Sequence, residues 1–276
     1  MLYTLSTDRH ELRELCYHTV DGDTATASSD FLVGDSLTER GSDPDSAGWV
    51  SLMLHRYNRS TDIVPRGLSG YNTKWFIEFA LPSIEQELSE SVRSPNLITL
   101  WLGTNDAALP DGDVVKQHVP LAEYTANLTK IVRAFQLNAP SAKILLITPP
   151  HVDDTVRQSR SSTNQAERTN AVAGEYARAC ADVARELELN VLDMYSYFNA
   201  LPESDRNACL NDGLHFAVKT FVGGPTQIRP VLFLVGDSLT ENGVDPDKAG
   251  WAALLRNHFR RSADILPRGL SGYNTK

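Results

Sequence analysis

Between residues 97 and 192, short and almost continuous apolar runs alternate with longer stretches whose apolar residues recur every three or four positions. Leu97-Ile98-Thr99-Leu100-Trp101-Leu102 is one such run, as expected of a strand buried on both faces. Ile144-Leu145-Leu146-Ile147, closed by Pro149-Pro150, is a second, and Val191-Leu192 a shorter third. In between, Pro120 suits the first position of a helix. After it Leu121, Tyr124, Leu128, Ile131 and Phe135 fall on one helical face. Ser162 with Gln165 makes a capping-box pattern, ahead of Val172, Tyr176, Cys180, Val183 and Leu187 on one face. Adding Phe31-Leu32-Val33-Gly34 and Asp62-Ile63-Val64 gives five strands separated by helices. The alternation predicts an α/β fold, a three-layer α/β/α sandwich around a five-stranded parallel sheet.

In such sheets, sites gather at the carboxyl ends of the strands. Four polar clusters fall there: Gly34-Asp35-Ser36, Gly67-Leu68-Ser69-Gly70, Gly103-Thr104-Asn105-Asp106 and Asp212-Gly213-Leu214-His215. A serine is a weak nucleophile until a base takes its proton, and His215 could supply that base, because imidazole in general can exchange a proton near neutrality. Asp212 lies three residues earlier; one short loop would hold its carboxylate against the second ring nitrogen and fix the tautomer. A tetrahedral oxyanion needs donors. Candidates are the N–H of Ser36, the N–H of Gly70, which no side chain obstructs, and the neutral amide of Asn105. Asp106 reads as a brace for its loop. Singly, each cluster has an ordinary reading: Ser36 as a helix N-cap, Gly70 as a turn residue, His215 as a surface histidine. Trp75, Trp101 and Tyr176 read as core or pocket wall, and Asp153-Asp154 with Arg157–Arg160 as a solvated loop. His118 and His151 show no metal-ligand spacing, and no metal or other cofactor is expected.

GDS near the start, a glycine in the second block, GxND in the third and DxxH near the end are, in that order, similar to the blocks of SGNH (GDSL) hydrolases. RGLSGYNTKW, the ITPP turn and ERTNAVAGEYARAC resemble the isoamyl acetate-hydrolysing esterase branch. The resemblance covers roughly residues 31–216. It implies a flavodoxin-like fold and metal-independent hydrolysis of short-chain acyl esters. Ser36 would be the nucleophile, Gly70 and Asn105 the oxyanion donors, and Asp212 with His215 the base pair. Deacetylation of an O-acetylated sugar is the alternative chemistry, and a non-catalytic remnant the alternative class.

The chain also repeats itself. Residues 31–74 match residues 233–276 without a gap at 31 of 44 positions. The second copy stops where the first runs into the rest of the domain. The expected organisation is an extension at 1–30, a hydrolase domain at 31–216, a linker at 217–232 and a partial second copy at 233–276. Family members continue from the histidine loop into a final helix, but Gly223-Gly224-Pro225 and Pro230 break any long helix in the linker. Residues 26–30 are polar for a central strand, whereas Val231-Leu232-Phe233-Leu234-Val235 is a fuller one. Copy two therefore competes for the first-strand slot, with Ser238 and Gly272 as the alternative to Ser36 and Gly70. A homo-oligomer in which copy two of one chain completes another is a further alternative.

A formal net charge of −9 and no basic stripe exclude a nucleic-acid footprint. No apolar run approaches the roughly 18 residues of a membrane span. Asp8, Glu11, Glu14 and Asp21 give the first thirty residues the wrong character for a signal peptide. Cys16, Cys180 and Cys209 are too few and too scattered for a disulfide framework. A cytoplasmic enzyme acting on a small-molecule ester is the expectation.

Overall fold

Strand β1 (Ser28–Gly34) lies between β2 (Thr61–Gly67) and β3 (Leu97–Trp101), and β4 (Lys143–Ile147) and β5 (Asn190–Leu192) follow on the β3 side. All four pairings are parallel. The order β2-β1-β3-β4-β5 is flavodoxin-like, the fold class expected. The computed structural model describes residues 28–43, 48–57, 60–90, 94–161 and 166–217, with the backbone of strands at 231–236 and 264–269. The chain divides into two units, Met1–Phe216 and Ala217–Lys276.

The period-2 alternation of the strands sorts their side chains into two layers. Phe31 and Val33, Ile98 and Leu100, and Ile144 and Leu146 join the large cluster. There they meet Ile84 and Leu88 of α3 (Leu81–Glu90), Leu128, Ile131 and Phe135 of α4 (Leu121–Asn138), and Tyr176, Cys180 and Val183 of α6 (Asn170–Glu186). Each such side chain, fully buried, stabilises by about 1.5–3 kcal/mol. On the other face Leu32 packs with Val50 of α2 (Trp49–Tyr57), and Trp101 and Ile147 with Leu37 of α1 (Ser36–Glu39). The expected helical faces on α4 and α6 are therefore the ones turned to the core, except that Leu121 at the start of α4 is exposed.

Several local expectations need correction. Helix α4 begins at Leu121, so Pro120 is its N-cap rather than its first residue. The Ser162–Gln165 pattern runs into residues outside those described, and the cap of α6 is Thr169, whose Oγ1 accepts the Val172 N–H at 3.3 Å. The supposed loop of Asp153-Asp154 and Arg157–Arg160 is instead helix α5 (Asp154–Arg160). Asp153 starts it by accepting the Val156 N–H at 3.1 Å. The Arg157 side chain is only 13% exposed, because it is ion-paired with Glu167. Helix α5 is short, too brief to show an apolar period. The polar residues Ser28-Ser29-Asp30 belong to β1, so the boundary expected at residue 31 falls inside the strand. The Ser28 hydroxyl is satisfied there by donating to Thr61 Oγ1 at 2.8 Å, whereas the Ser29 hydroxyl is buried without a partner among the described residues.

In the second unit, β6 (Val231–Gly236) and β7 (Asp264–Gly269) form a two-stranded parallel sheet. The last two residues of the expected linker thus belong to β6. Phe233 pairs with Leu266 and Gly236 with Gly269, the register that Phe31–Val64 and Gly34–Gly67 have in the first unit. The five-stranded sheet takes β1 in its first-strand slot, not copy two. Ser238 and Gly272 lie outside the described residues.

After β3 the chain turns through Gly103, which adopts φ +126°. A Cβ there would lie 2.6 Å from the Tyr124 hydroxyl and 2.7 Å from Pro149 Cγ. Gly103→Ala combines a strained backbone with a collision in a packed wall. We expect a loss of about 2–4 kcal/mol in a urea unfolding series with an unchanged slope; a loss below about 0.5 kcal/mol would show that the turn shifts freely.

Candidate active site

The end of β1 carries the serine. Asp35 caps α1, its Oδ1 accepting the Leu37 N–H at 2.9 Å. The capping role thus falls to Asp35 and leaves the Ser36 hydroxyl available. That hydroxyl meets His215 Nε2 at 2.8 Å, and His215 Nδ1 meets Asp212 Oδ2 at 2.8 Å. A carboxylate can only accept, so Nδ1 carries the ring proton and Nε2 presents its lone pair to the serine. Asp212 Oδ1 accepts the N–H groups of Leu214 and His215 at 3.1 and 2.8 Å. One short loop therefore holds the carboxylate and aims the imidazole. Burial alone would raise the Asp212 carboxyl, but the hydrogen bonds from the His215 ring and from these N–H donors, with the attraction of a protonated His215, hold it well below the usual carboxylate range. It stays ionised across the working pH range. Ser36 is buried, and the Asp212 and His215 side chains are 14% and 12% exposed, which keeps the hydrogen bonds strong.

Gly70 and Asn105 sit on the neighbouring strand ends. Gly34 pairs with Gly67 and with Trp101, and the Asp35 and Leu68 N–H groups bond Trp101 O (3.2 Å) and Gly34 O (2.9 Å). The loops after β1, β2 and β3 are thus locked side by side. Gly70 has φ +80°, a conformation that favours glycine. Among the described residues, the N–H groups of Ser36 and Gly70 donate to no protein acceptor. Asn105 is 3% exposed, and its amide nitrogen donates to Tyr71 O at 2.9 Å. Asp106 is a brace, as expected. It is fully buried and accepts from the Thr73 N–H at 3.0 Å and the Thr73 hydroxyl at 2.5 Å. Burial pushes Asp35 and Asp106 both up to about 7, against the donors that pull each of them down.

Charged residues that the sequence reading left without a role also converge here. Arg168 is 3% exposed and donates through Nε to Thr104 O at 2.9 Å and through Nη2 to Asn105 Oδ1 at 3.0 Å. Glu167 pairs with Arg168 at 2.8 Å and also with Arg157, whose Nη1 donates to Asp212 O at 3.2 Å. These residues lie in loops and a short helix and show no periodicity. The only pointer was the ERTN stretch, which carried a family likeness and no stated chemistry. Trp101 and Tyr176 are buried as core and Trp75 is half-buried. Trp101 packs against Phe216 at 6.0 Å, and Phe216 against Phe198 at 5.3 Å. Cys180 and Cys209 are buried thiols, and Cys16 lies outside the described residues. Among the described residues, no group of three or more His, Cys, Asp or Glu could hold a metal ion, and no helix is long and apolar enough to cross a membrane.

A flavodoxin-like sheet with serine, histidine and aspartate bonded in series at its carboxyl edge is the arrangement of an SGNH-type carboxylic ester hydrolase. Residues 32–219 match the GDSL-like Lipase/Acylhydrolase family, and the chain belongs to that family, in its isoamyl acetate-hydrolysing esterase-like branch. It is 40% identical over 194 residues to a GDSL esterase/lipase of Arabidopsis thaliana, covering 68% of this chain and 78% of that one. It is 34% identical over 206 residues to the isoamyl acetate-hydrolyzing esterase 1 homolog of Mus musculus, covering 74% and 80%. Among solved structures, the fold is similar to the acetyl xylan esterase AlAXEase, with a TM-score of 0.56 and 14% identity over 70% of this chain and 93% of that one.

His151 was expected to have no role in the chemistry, and the structure places it in the protein interior. Nε2 meets Arg206 O at 2.7 Å, which puts the ring proton on that nitrogen. Burial lowers its pKa from 6.5 to about 4, so it is neutral when folded. The unfolded chain takes up this proton between those values and the folded chain does not, so the contribution to stability is full above about 6.5 and lost as pH falls towards 4. Asp35 and Asp106 work in the opposite sense, because their folded values are raised. Comparison with His151→Gln isolates the histidine. The stability gap between wild type and variant should narrow as pH falls from 7.5 to 4.5, read from urea midpoints. A gap independent of pH would contradict a buried neutral ring.

Proposed function

We propose that the protein hydrolyses short-chain acyl esters, acetates among them, through an acyl-serine intermediate on Ser36. The observation that carries this reading is the continuous hydrogen-bond chain Ser36 Oγ–His215 Nε2 and His215 Nδ1–Asp212 Oδ2, each link 2.8 Å. His215 takes the Ser36 proton as Oγ attacks the ester carbonyl, and Asp212 stabilises the resulting imidazolium. The negative charge that develops on the carbonyl oxygen is received by the N–H groups of Ser36 and Gly70 and the amide of Asn105. His215 then returns the proton to the leaving alkoxide. Water enters, gives a proton to His215, attacks the acyl carbon and releases the acid, and the proton goes back to Ser36. The likeness to isoamyl acetate-hydrolyzing esterase homologues at 34–35% identity supports a small acyl group. On this reading residues 233–276 contribute no group to the chemistry.

Turnover of p-nitrophenyl acetate should fall to background in Ser36→Ala, a drop of about 10⁴-fold or more. It should remain within about twofold of wild type in Ser238→Ala. A fluorophosphonate should label the wild-type chain at Ser36, as read by peptide mapping. Loss of turnover only in Ser238→Ala would sink the assignment, and a wild-type chain without turnover would point to a non-catalytic remnant.

A further inference from the structure

The amide of Asn105 has two nearly isosteric ends, and only one of them can donate to an oxyanion. Its orientation is set from behind by Arg168. The guanidinium has N–H donors and no acceptor, so the Asn105 atom 3.0 Å from Nη2 must be the oxygen. The nitrogen is then turned to the opposite side, where one N–H bonds Tyr71 O at 2.9 Å and the second is left over. A flipped amide would set oxygen against the Tyr71 carbonyl and NH₂ against the guanidinium, failing at both ends.

Arg168 itself has little freedom. Nε is bonded to Thr104 O, Nη1 to Glu167 Oε1, and Nη2 also to Gln117 Oε1. Gln117 Nε2 in turn donates to Gly70 O at 3.2 Å. The same guanidinium is thus tied, directly or through one amide, to both residues read as oxyanion donors beyond Ser36. Burial, chiefly, and the neighbouring Arg157 lower Arg168 to about 10, which leaves it a cation at neutral pH.

We propose that Arg168, held by Glu167, is a positioning residue that orients the Asn105 amide and polarises it, so that its remaining N–H is a stronger donor to the developing oxyanion. The proposal rests on the esterase reading above. A plain packing role for Arg168 would make its loss independent of Asn105. A role exercised through Asn105 makes the two losses overlap.

The test is a double-mutant cycle on the full chain with p-nitrophenyl acetate, in which kcat and KM are measured separately. Asn105→Ala should lower kcat by about 10²–10³-fold. Arg168→Met should lower it by about 10–10²-fold with KM changed by less than about threefold. The double variant should be no slower than Asn105→Ala alone, within about threefold. Losses that multiply would overturn the proposal while leaving the esterase reading intact. A wild-type chain without turnover would overturn that reading and the proposal with it. If Arg168→Met gives no cooperative melt, Arg168→Lys enters the same cycle. It keeps the charge but loses the planar fork, and its smaller kcat loss should also vanish in the Asn105→Ala background. If neither variant folds, Arg168 is a structural residue and the proposal fails.

Discussion

Strand β1 is hydrogen-bonded along both edges, to Thr61–Gly67 on one side and to Leu97–Trp101 on the other, and this double pairing decides where the polar groups of the site come to rest. In a parallel sheet every strand ends on the same edge, so three consecutive loops emerge together. Close approach at that edge depends on small residues. A Cβ on Gly34 would meet Thr38 Oγ1 at 2.2 Å and the Trp101 carbonyl at 2.7 Å. With no side chain there, Thr38 of α1 and the end of β3 close directly on the end of β1.

The edge so formed is unusually rich in buried polar groups for so small a volume. Asp35, Asp106 and Arg168 are all essentially out of water. An isolated charge there would be costly; Asp106 and Arg168 are bonded to backbone and side-chain partners, whereas Asp35 is bonded through Oδ1 alone and its Oδ2 has no hydrogen-bond partner among the described residues. The result is a hydrogen-bonded set of buried groups around the loops that carry Ser36 and Asn105. Such a set suits a site that must hold donors where negative charge will appear, because no reorganisation is then needed during the reaction. The acid loop is tied into the same set through Arg157 and Glu167, whose contacts reach the carbonyl of Asp212.

The expected strands β1 to β5 were legible as short apolar runs, and the long helices because each repeats a simple period over enough residues to be recognised. Tyr124, Leu128 and Phe135 on α4, and Tyr176, Cys180 and Val183 on α6, face the core as their spacing implied. Helix α5 was not legible, being short and charged. The Ser162–Gln165 pattern lies outside the described residues, and the cap of α6 is Thr169. Ser36 stood out because it sits in a short polar cluster directly after an apolar run, and Asp212 and His215 because they stand three residues apart in one short polar cluster. Arg168 did not, since the partner that gives it its meaning is distant in sequence: Asn105 lies 63 residues away.

The order of strands and helices, the residues facing the core and the polar clusters at the strand ends follow from the sequence by itself, because they depend on periodicity and on neighbours within a few residues. Which copy of the repeated segment fills the slot beside β3 could not be read that way, since the two copies match at 31 of 44 positions and either could supply the strand. The tertiary structure puts β1 there, flanked by β2 and β3. It also decides the burial of Arg157 and Arg168, which depends on whether a carboxylate or carbonyl from a distant loop arrives to satisfy each charge. Contacts over such separations are created by the packing of the sheet, and no local pattern encodes them.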